Sequence, residues 1–303
     1  MNSGSNLHSM AVSWISAKRY QQVARTAFFA LYAIIVTGSL VRLTGSGLGC
    51  SDWPNCNNEK FVDVSSGHAA IEQVNRLFTG FVALSVVVAV SGALVMRPRI
   101  ARLVRNALLL VVGVLAQVIL GAYVVLTGLN PWSNMAHFLV SVLLVSSAFV
   151  LLKRVETLMH GPKSTSHHDV WLRRLILVAM SLAVLLGTVV TGAGPHSGSE
   201  LATRLDISVR FATQIHSLAV WLTVLLSVVY ATRVRRSSSR WIEEGPAVMR
   251  LIGLLLVQGF IGYVQYFAGV PAQLVAVHVG LSVAVFLAAF SVFLPTSTLA
   301  VLD

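Results

Sequence analysis

Eight apolar runs constrain this chain more than any motif in it, because each approaches the roughly 20 residues a helix needs to cross a bilayer. They fall at about 24–42, 71–95, 106–127, 132–152, 172–193, 211–231, 248–268 and 274–294. Within lipid a segment must satisfy its own backbone N–H and C=O groups, so runs of this length are expected to be helices. Of 303 residues, 56% are hydrophobic and 11% are charged, and the mean hydropathy is +0.79. Soluble domains carry about 25% charged residues. The expected class is therefore an all-α polytopic membrane protein. The N-terminal stretch is polar without an apolar core, so no cleaved signal peptide is expected there.

A net charge of +11 would suggest nucleic acid in a soluble protein, but here its placement explains it better. Seventeen of the 22 Lys and Arg residues fall in the N-terminal segment and in the connections after the second, fourth and sixth runs. The other side of the bilayer holds only Arg42, Lys60, Arg76, Arg204 and Arg210. The positive-inside rule then places both termini in the cytoplasm, and no nucleic-acid partner is expected.

The two halves of the chain repeat. An offset of 141 carries Gln117 onto Gln258, Gly121 onto Gly262, Gly128 onto Gly269 and His137 onto His278. The same offset carries Asn75 onto His216. The first helix ends in "TGSG" and the fifth in "TGAG", now offset by 147, and the difference lies in the first outer loop. The expected architecture is eight transmembrane helices as two pseudosymmetric four-helix bundles. The organisation reads as a cytoplasmic tail at 1–23, an N-terminal half at 24–155, a linker at 156–171, a C-terminal half at 172–294 and a cytoplasmic tail at 295–303.

Both cysteines, Cys50 and Cys56, sit in the first outer loop, "GLGCSDWPNCNNEK". Outside the cytoplasm a disulfide can form and persist. A metal pair is the weaker alternative, because two thiolates without nearby partners make a poor site.

His8, His160, His167 and His168 fall in cytoplasmic polar segments and read as solvated, whereas His137, His216 and His278 each lie near the outer end of an apolar helix. Ionisable groups at membrane depth are costly and mark functional sites by default. One such histidine reads as a packing residue, but three at repeat-related positions suit a cofactor held between facing helices. His216 and His278 have the disposition to ligate haem iron from its two faces, as in a six-coordinate electron-transfer haem. Their alternative is buried hydrogen-bonded packing.

In the N-terminal half Asn75 stands where His216 predicts a histidine. An amide is a poor iron ligand, so a haem there is expected to have one strong ligand, His137, and an open sixth position. Glu72 lies one helical turn before Asn75, and its repeat mate is Thr213. Glu72 is either an i,i+4 ion-pair partner of Arg76 or a proton acceptor beside a haem. Arg42, Arg76, Arg204 and Arg210 flank outer helix ends, where snorkelling is the default and pairing with haem propionates the alternative. His68 and His196 are placed in outer loops, where no role is the default and pairing with haem propionates the alternative.

The segments "VTGSLVRLTGSGLGCSDWPNC", "IEQVNR", "NMAHFLVSVLL", "TGAGPHSG" and "VHVGLSVAVF" together resemble the haem A synthase family. The resemblance covers almost the whole chain. It implies an eight-helix membrane enzyme of two pseudosymmetric halves that oxidises the C8 methyl of haem O to a formyl group, within cytochrome oxidase assembly. It further implies haem b between His216 and His278, substrate haem O in the N-terminal half with His137 as axial ligand, and Glu72 as the catalytic carboxylate. Asn75, Arg76 and Arg42 join the binding set, and Cys50 and Cys56 match a first-loop pair that is disulfide-bonded in many members. The implied location is a bacterial plasma membrane with the haem sites toward its outer face, and the implied partners are the bilayer and an enzyme that makes haem O. No electron acceptor is named, and homo-oligomerisation is left open. The chain departs from the family in two places. The segment that usually reads Glu-x-x-His-Arg has Asn75 for its histidine, and the fifth outer turn has no second cysteine pair. Two readings compete with the synthase, namely a two-haem cytochrome b that only passes electrons and a haem transporter or chaperone.

Overall fold

The computed structural model describes residues 15–161 and 168–294. His8, Lys163 and His167, the C-terminal tail, most of the N-terminal tail and residues 162–167 of the linker lie outside the described residues. The elements, in order, are α1 (Ala17–Leu43), α2 (Gly67–Val95), α3 (Ala101–Leu126), α4 (Pro131–His160), α5 (Val170–Ala193), α6 (Val209–Arg235), α7 (Ser238–Phe267) and α8 (Ala272–Phe293). All eight are long and apolar enough to span a membrane. Helix starts are fixed locally. Ser16 Oγ accepts the Arg19 N–H, Ser66 Oγ accepts the Ala69 N–H, and Asn130 accepts the Trp132 N–H ahead of Pro131 at the first helical position. Each satisfies a donor that a helix leaves orphaned.

At the end that carries the cysteine loop, the helices stop within a few residues of the apolar runs. At the opposite, basic end all but α2 and α8 overrun them. α4 continues to His160 and α7 starts at Ser238, passing through Pro246. Hydropathy registers where side chains leave the hydrocarbon, whereas intrahelical hydrogen bonds continue into the headgroup zone, where Lys and Arg are tolerated.

Within the first half α1 packs on α2, α2 on α3, α3 on α4 and α4 on α1. The same closed cycle recurs for α5 to α8. The halves meet through α1 against α8, α5 against α4, and α4 against α8, the set of contacts that a two-fold exchange of the halves maps onto itself. This neighbour pattern is compatible with two pseudosymmetric bundles. Tyr32 Oη donates to the Gly280 carbonyl across the interface at 2.6 Å. Val283 and Leu287 of α8 join the core of the first half.

Each bundle is packed at its basic end and open toward its cysteine-loop end. The first core draws on Tyr20, Leu31, Val86, Leu103, Leu110, Val145 and Leu151, the second on Leu172, Ile176, Tyr230, Leu251 and Phe286. Outward-facing Phe29, Ile119, Leu143 and Phe260 are exposed, as expected for surfaces that meet lipid. The turns after α3 and α7 also repeat: Gly128 and Leu129, and Gly269 and Val270, all have φ between 61° and 77°.

At the basic end Asp169 accepts hydrogen bonds from Arg233 (2.9 Å) and Arg240 (3.1 Å), tying the start of α5 to α6 and α7. Burial alone would raise its pKa, but the hydrogen bonds from Arg233 and Arg240 hold it below the usual carboxylate range. A carboxylate with a depressed folded pKa stabilises the fold above its unfolded value, and that stabilisation is lost as pH falls through the lower folded value. Asp169→Asn is therefore expected to cost about 1 kcal/mol near neutral pH. Thermal unfolding in detergent across pH checks this: the difference from the unmodified chain should shrink below the carboxylate range, and a constant difference would refute the linkage.

Candidate functional site

A cavity of about 1800 Å³ lies toward the cysteine-loop end, lined by all eight helices. Drug-sized ligands occupy roughly 300–1,000 Å³, so the space suits more than one such molecule. The lining positions correspond between the halves. Glu72, Asn75 and Arg76 of α2 match Thr213, His216 and Ser217 of α6. Gln117 and Gly121 of α3 match Gln258 and Gly262 of α7, while His137 and Ser141 of α4 match His278 and Ser282 of α8. All of these keep the offset of 141. For the first helix of each half the structure corrects the sequence-based alignment. Leu31, Ile34, Gly38, Ser39 and Arg42 face the cavity where Met180, Ala183, Gly187, Thr188 and Thr191 do, an offset of 149 instead of 147. The reason is local. α5 stays helical through Thr191 to Ala193, whereas α1 ends at Leu43, so the two similar tetrapeptides occupy different positions relative to their helices.

His137, His216 and His278 all reach the cavity. His216 Nδ1 lies 2.9 Å from the Ala183 carbonyl oxygen, which can only accept, so Nδ1 carries the proton and Nε2 keeps its lone pair. His137 and His278 have Nδ1 atoms that are buried without a partner. Their backbone carbonyls accept from Gln117 Nε2 (3.0 Å) and Gln258 Nε2 (2.9 Å), repeat-related bonds that brace α3 on α4 and α7 on α8. Each imidazole also rests against a glycine. A Cβ added at Gly187 would stand 3.2 Å from His216 Cε1, at Gly262 3.1 Å from His278 Cε1, and at Gly121 3.5 Å from His137 Cε1. No protein group among the described residues bonds Nε2 of these three rings. Half-buried imidazoles with unused nitrogen lone pairs in an apolar cavity are a donor set that suits iron. The residues present therefore fit haem on both sides of the cavity.

Cys50 and Cys56 form a disulfide, which removes the metal-pair alternative. The loop it closes is clamped onto α2 by the two residues of the expected ion pair. Glu72 Oε2 accepts the Cys50 N–H at 2.8 Å, and Glu72 Oε1 accepts from Arg76 Nη2 (2.6 Å) and Nε (3.1 Å). Arg76 also donates to the carbonyls of Asp52 and Asn55. Through these bonds Trp53, Pro54 and Phe61 are set over the first-half side of the cavity, and the cysteines themselves do not line it. Gly49 lets the loop approach, since a Cβ there would lie 2.3 Å from the His68 carbonyl oxygen. Backbone cannot yield as a side chain can, so Gly49→Ala is expected to lift the loop and cost about 1–3 kcal/mol. Limited proteolysis within 50–66 should accelerate; unchanged protection would refute the close fit.

Glu72 is the only carboxylate lining the cavity among the described residues. Arg42 lines it too and donates to the His196 carbonyl, while His196 Nε2 donates to Val270 O at 2.8 Å. That chain of bonds holds the α5–α6 loop between the halves. Arg210 reaches the cavity and Arg204 does not; the latter donates to the Gly194 carbonyl. His68, expected in a loop, is in the first turn of α2 and bonds Ser46 Oγ at 2.9 Å, outside the cavity lining. His160 ends α4, remote from the site.

The family model of COX15-CtaA, cytochrome oxidase assembly protein, matches residues 21–68 and 61–290. The chain belongs to this family. Among curated relatives, the heme A synthase of Geobacillus thermodenitrificans is 31% identical over 134 residues, which is 42% of this chain and 40% of that protein. The heme A synthase of Bacillus pumilus (strain SAFR-032) is 33% identical over 129 residues, 41% of this chain and 40% of that protein. A protoheme IX farnesyltransferase of Halobacterium salinarum is 29% identical over 139 residues, 45% of this chain and 29% of that protein. The matches to the two synthases thus span about two-fifths of each relative's length. As a member of the cytochrome oxidase assembly family with eight membrane-length helices, the protein is a multi-pass membrane protein.

Sequence reasoning did not single out Gly38 and Gly187, nor the loop residues Trp53 and Phe61. For the glycines a signal existed, but the tetrapeptide alignment hid it by two residues. For Trp53 and Phe61 no periodic signal exists in an irregular loop.

Proposed function

We propose that this member of the cytochrome oxidase assembly family is a membrane oxidoreductase that converts haem O to haem A, oxidising the C8 methyl to a formyl group. One observation carries the reading. Three imidazoles whose Nε2 no described residue bonds line a single cavity, and the one carboxylate among its described lining residues, Glu72, stands in the half where Asn75 replaces the matching histidine. The similarity to proteins named heme A synthase supports the substrate.

In this reading 24–155 forms the substrate half and 172–294 the haem b half, joined by the 156–171 linker. His216 and His278 would hold haem b, and His137 would hold the substrate haem. Bound haem supplies a redox-active iron and a conjugated ring through which electrons leave the methyl group. Converting the methyl to a formyl group with oxygen from water releases four electrons and four protons. Glu72 would accept protons, and the electrons would leave by way of haem b to an external electron acceptor. Arg76 keeps that carboxylate oriented through two N–H donors. Trp53, Pro54 and Phe61 limit water on the substrate side. Arg42 and Arg210 are placed to meet propionates. Both termini are cytoplasmic, and the cavity lies toward the outer face. The 139-residue similarity to a protein named protoheme IX farnesyltransferase supports coupling to the enzyme that supplies haem O.

The test is to express the chain with a source of haem O and to identify extracted haems by mass. Haem A is expected, whereas recovery of haem B and haem O alone would sink the reading. A second reading, a haem protein that only carries electrons or haem, is favoured by one observation. Both Glu72 oxygens are already engaged, as in a structural clamp.

A further inference from the structure

The corrected register of the first helix of each half places Gly38 where Gly187 stands in the other. Gly187 exists beside a ring: an added Cβ would be 3.2 Å from His216 Cε1 and 3.5 Å from its Nδ1. Gly38 has kept the same absence of a side chain, yet nothing lies within 4 Å of where its Cβ would stand. On α2 the position that matches His216 is Asn75, and its side chain does not come within 4 Å of where that Cβ would stand. Gly38 and Asn75 both line the cavity, as does His137 of the same half. The Asn75 Oδ1 atom is buried without a hydrogen-bond partner. A buried acceptor left unpaired costs about as much as a lost hydrogen bond, so it marks a place where a donor belongs.

We propose that the space between Gly38 and Asn75 is a binding pocket for a small neutral ligand, up to the size of an imidazole ring. The ligand would be presented to the iron of a haem held by His137, with the Asn75 amide oxygen accepting its N–H or O–H. The inference rests on the reading that the N-terminal half holds a haem. Water is the smallest molecule of this class, and imidazole is the largest that the matched half shows to fit. The pocket makes the sixth position of this half selectable by an external ligand, where the C-terminal half supplies its own from His216.

The test uses the purified full chain loaded with haem in detergent and titrated with imidazole, followed by optical difference spectra and electron paramagnetic resonance. A saturable conversion of high-spin to low-spin signal is expected. Gly38→Leu fills the space without touching Asn75 and should weaken imidazole binding by about tenfold or more, the usual scale of overpacking. Asn75→His should give the low-spin signal with no added imidazole and abolish the titration. Haem content, measured for each variant, separates folding and loading from ligand binding. A loaded N-terminal half that ignores imidazole, or a Gly38→Leu chain that binds it as tightly as the unmodified one, would overturn the pocket alone. Retention of haem only at His216 and His278 would overturn the pocket together with the reading beneath it.

Discussion

On the proposed reading, in which His216 and His278 would hold haem b, His278→Ala is expected to abolish the low-spin haem spectrum and to lower haem retention in the C-terminal half. The ring sits on Gly262, and its backbone carbonyl is braced by Gln258. Its removal leaves His216, fixed by Ala183 O, as the lone axial donor. Any haem still retained would then have one imidazole donor instead of two, which would not support a low-spin spectrum. His216→Ala should have the same spectral effect, while His137→Ala should spare the low-spin signal and lower retention of haem O. Pyridine haemochrome content and the low-temperature resonance spectrum of each variant check this. A low-spin signal that survives both C-terminal substitutions would show that the paired imidazoles do not hold haem.

The second large effect concerns Glu72. If it takes protons from the methyl group, Glu72→Gln should lower formyl-haem formation by about 10²–10⁴-fold, the usual contribution of general base catalysis. Haem content should stay near that of the unmodified chain. Glutamine is chosen because its carbonyl can still accept the Cys50 N–H; its amide nitrogen cannot accept from Arg76, which keeps its bonds to the Asp52 and Asn55 carbonyls. Glu72→Ala removes base and clamp together. Should the glutamine variant turn over at full rate while the alanine variant fails, Glu72 acts only by holding the loop. Proteolysis of 50–66 in both variants reports the clamp separately.

Much of this was legible in the chain itself. The cavity-lining residues Glu72, Asn75, Arg76, His137, His216 and His278 stand out because polarity in an apolar run is costly, and the 141 offset relates the two halves. The disulfide followed from two cysteines close together in a single loop. Other features were not legible. Polar groups bonded across the fold, such as Asp169 with Arg233 and Arg240, read as ordinary linker and loop charge, because nothing local marks their partner. Glu72 likewise shows its i,i+4 neighbour in sequence, but not its bond to the Cys50 N–H 22 residues away.

What the sequence determined by itself is the number of crossings, the repeat over the last three helices of each half, and the residue types at the cavity. A period read from polar marks inside apolar runs survives folding, because those marks are expensive everywhere except at the site. Only the tertiary structure decided which faces of α1 and α5 correspond, that the two halves share one cavity, and that Gly38 borders open space. In lipid, the outward and inward faces of a helix are both apolar, so helix rotation carries little amphipathic signal. The rotation is set by which small residues let neighbouring side chains approach, and that is a property of the packed molecule.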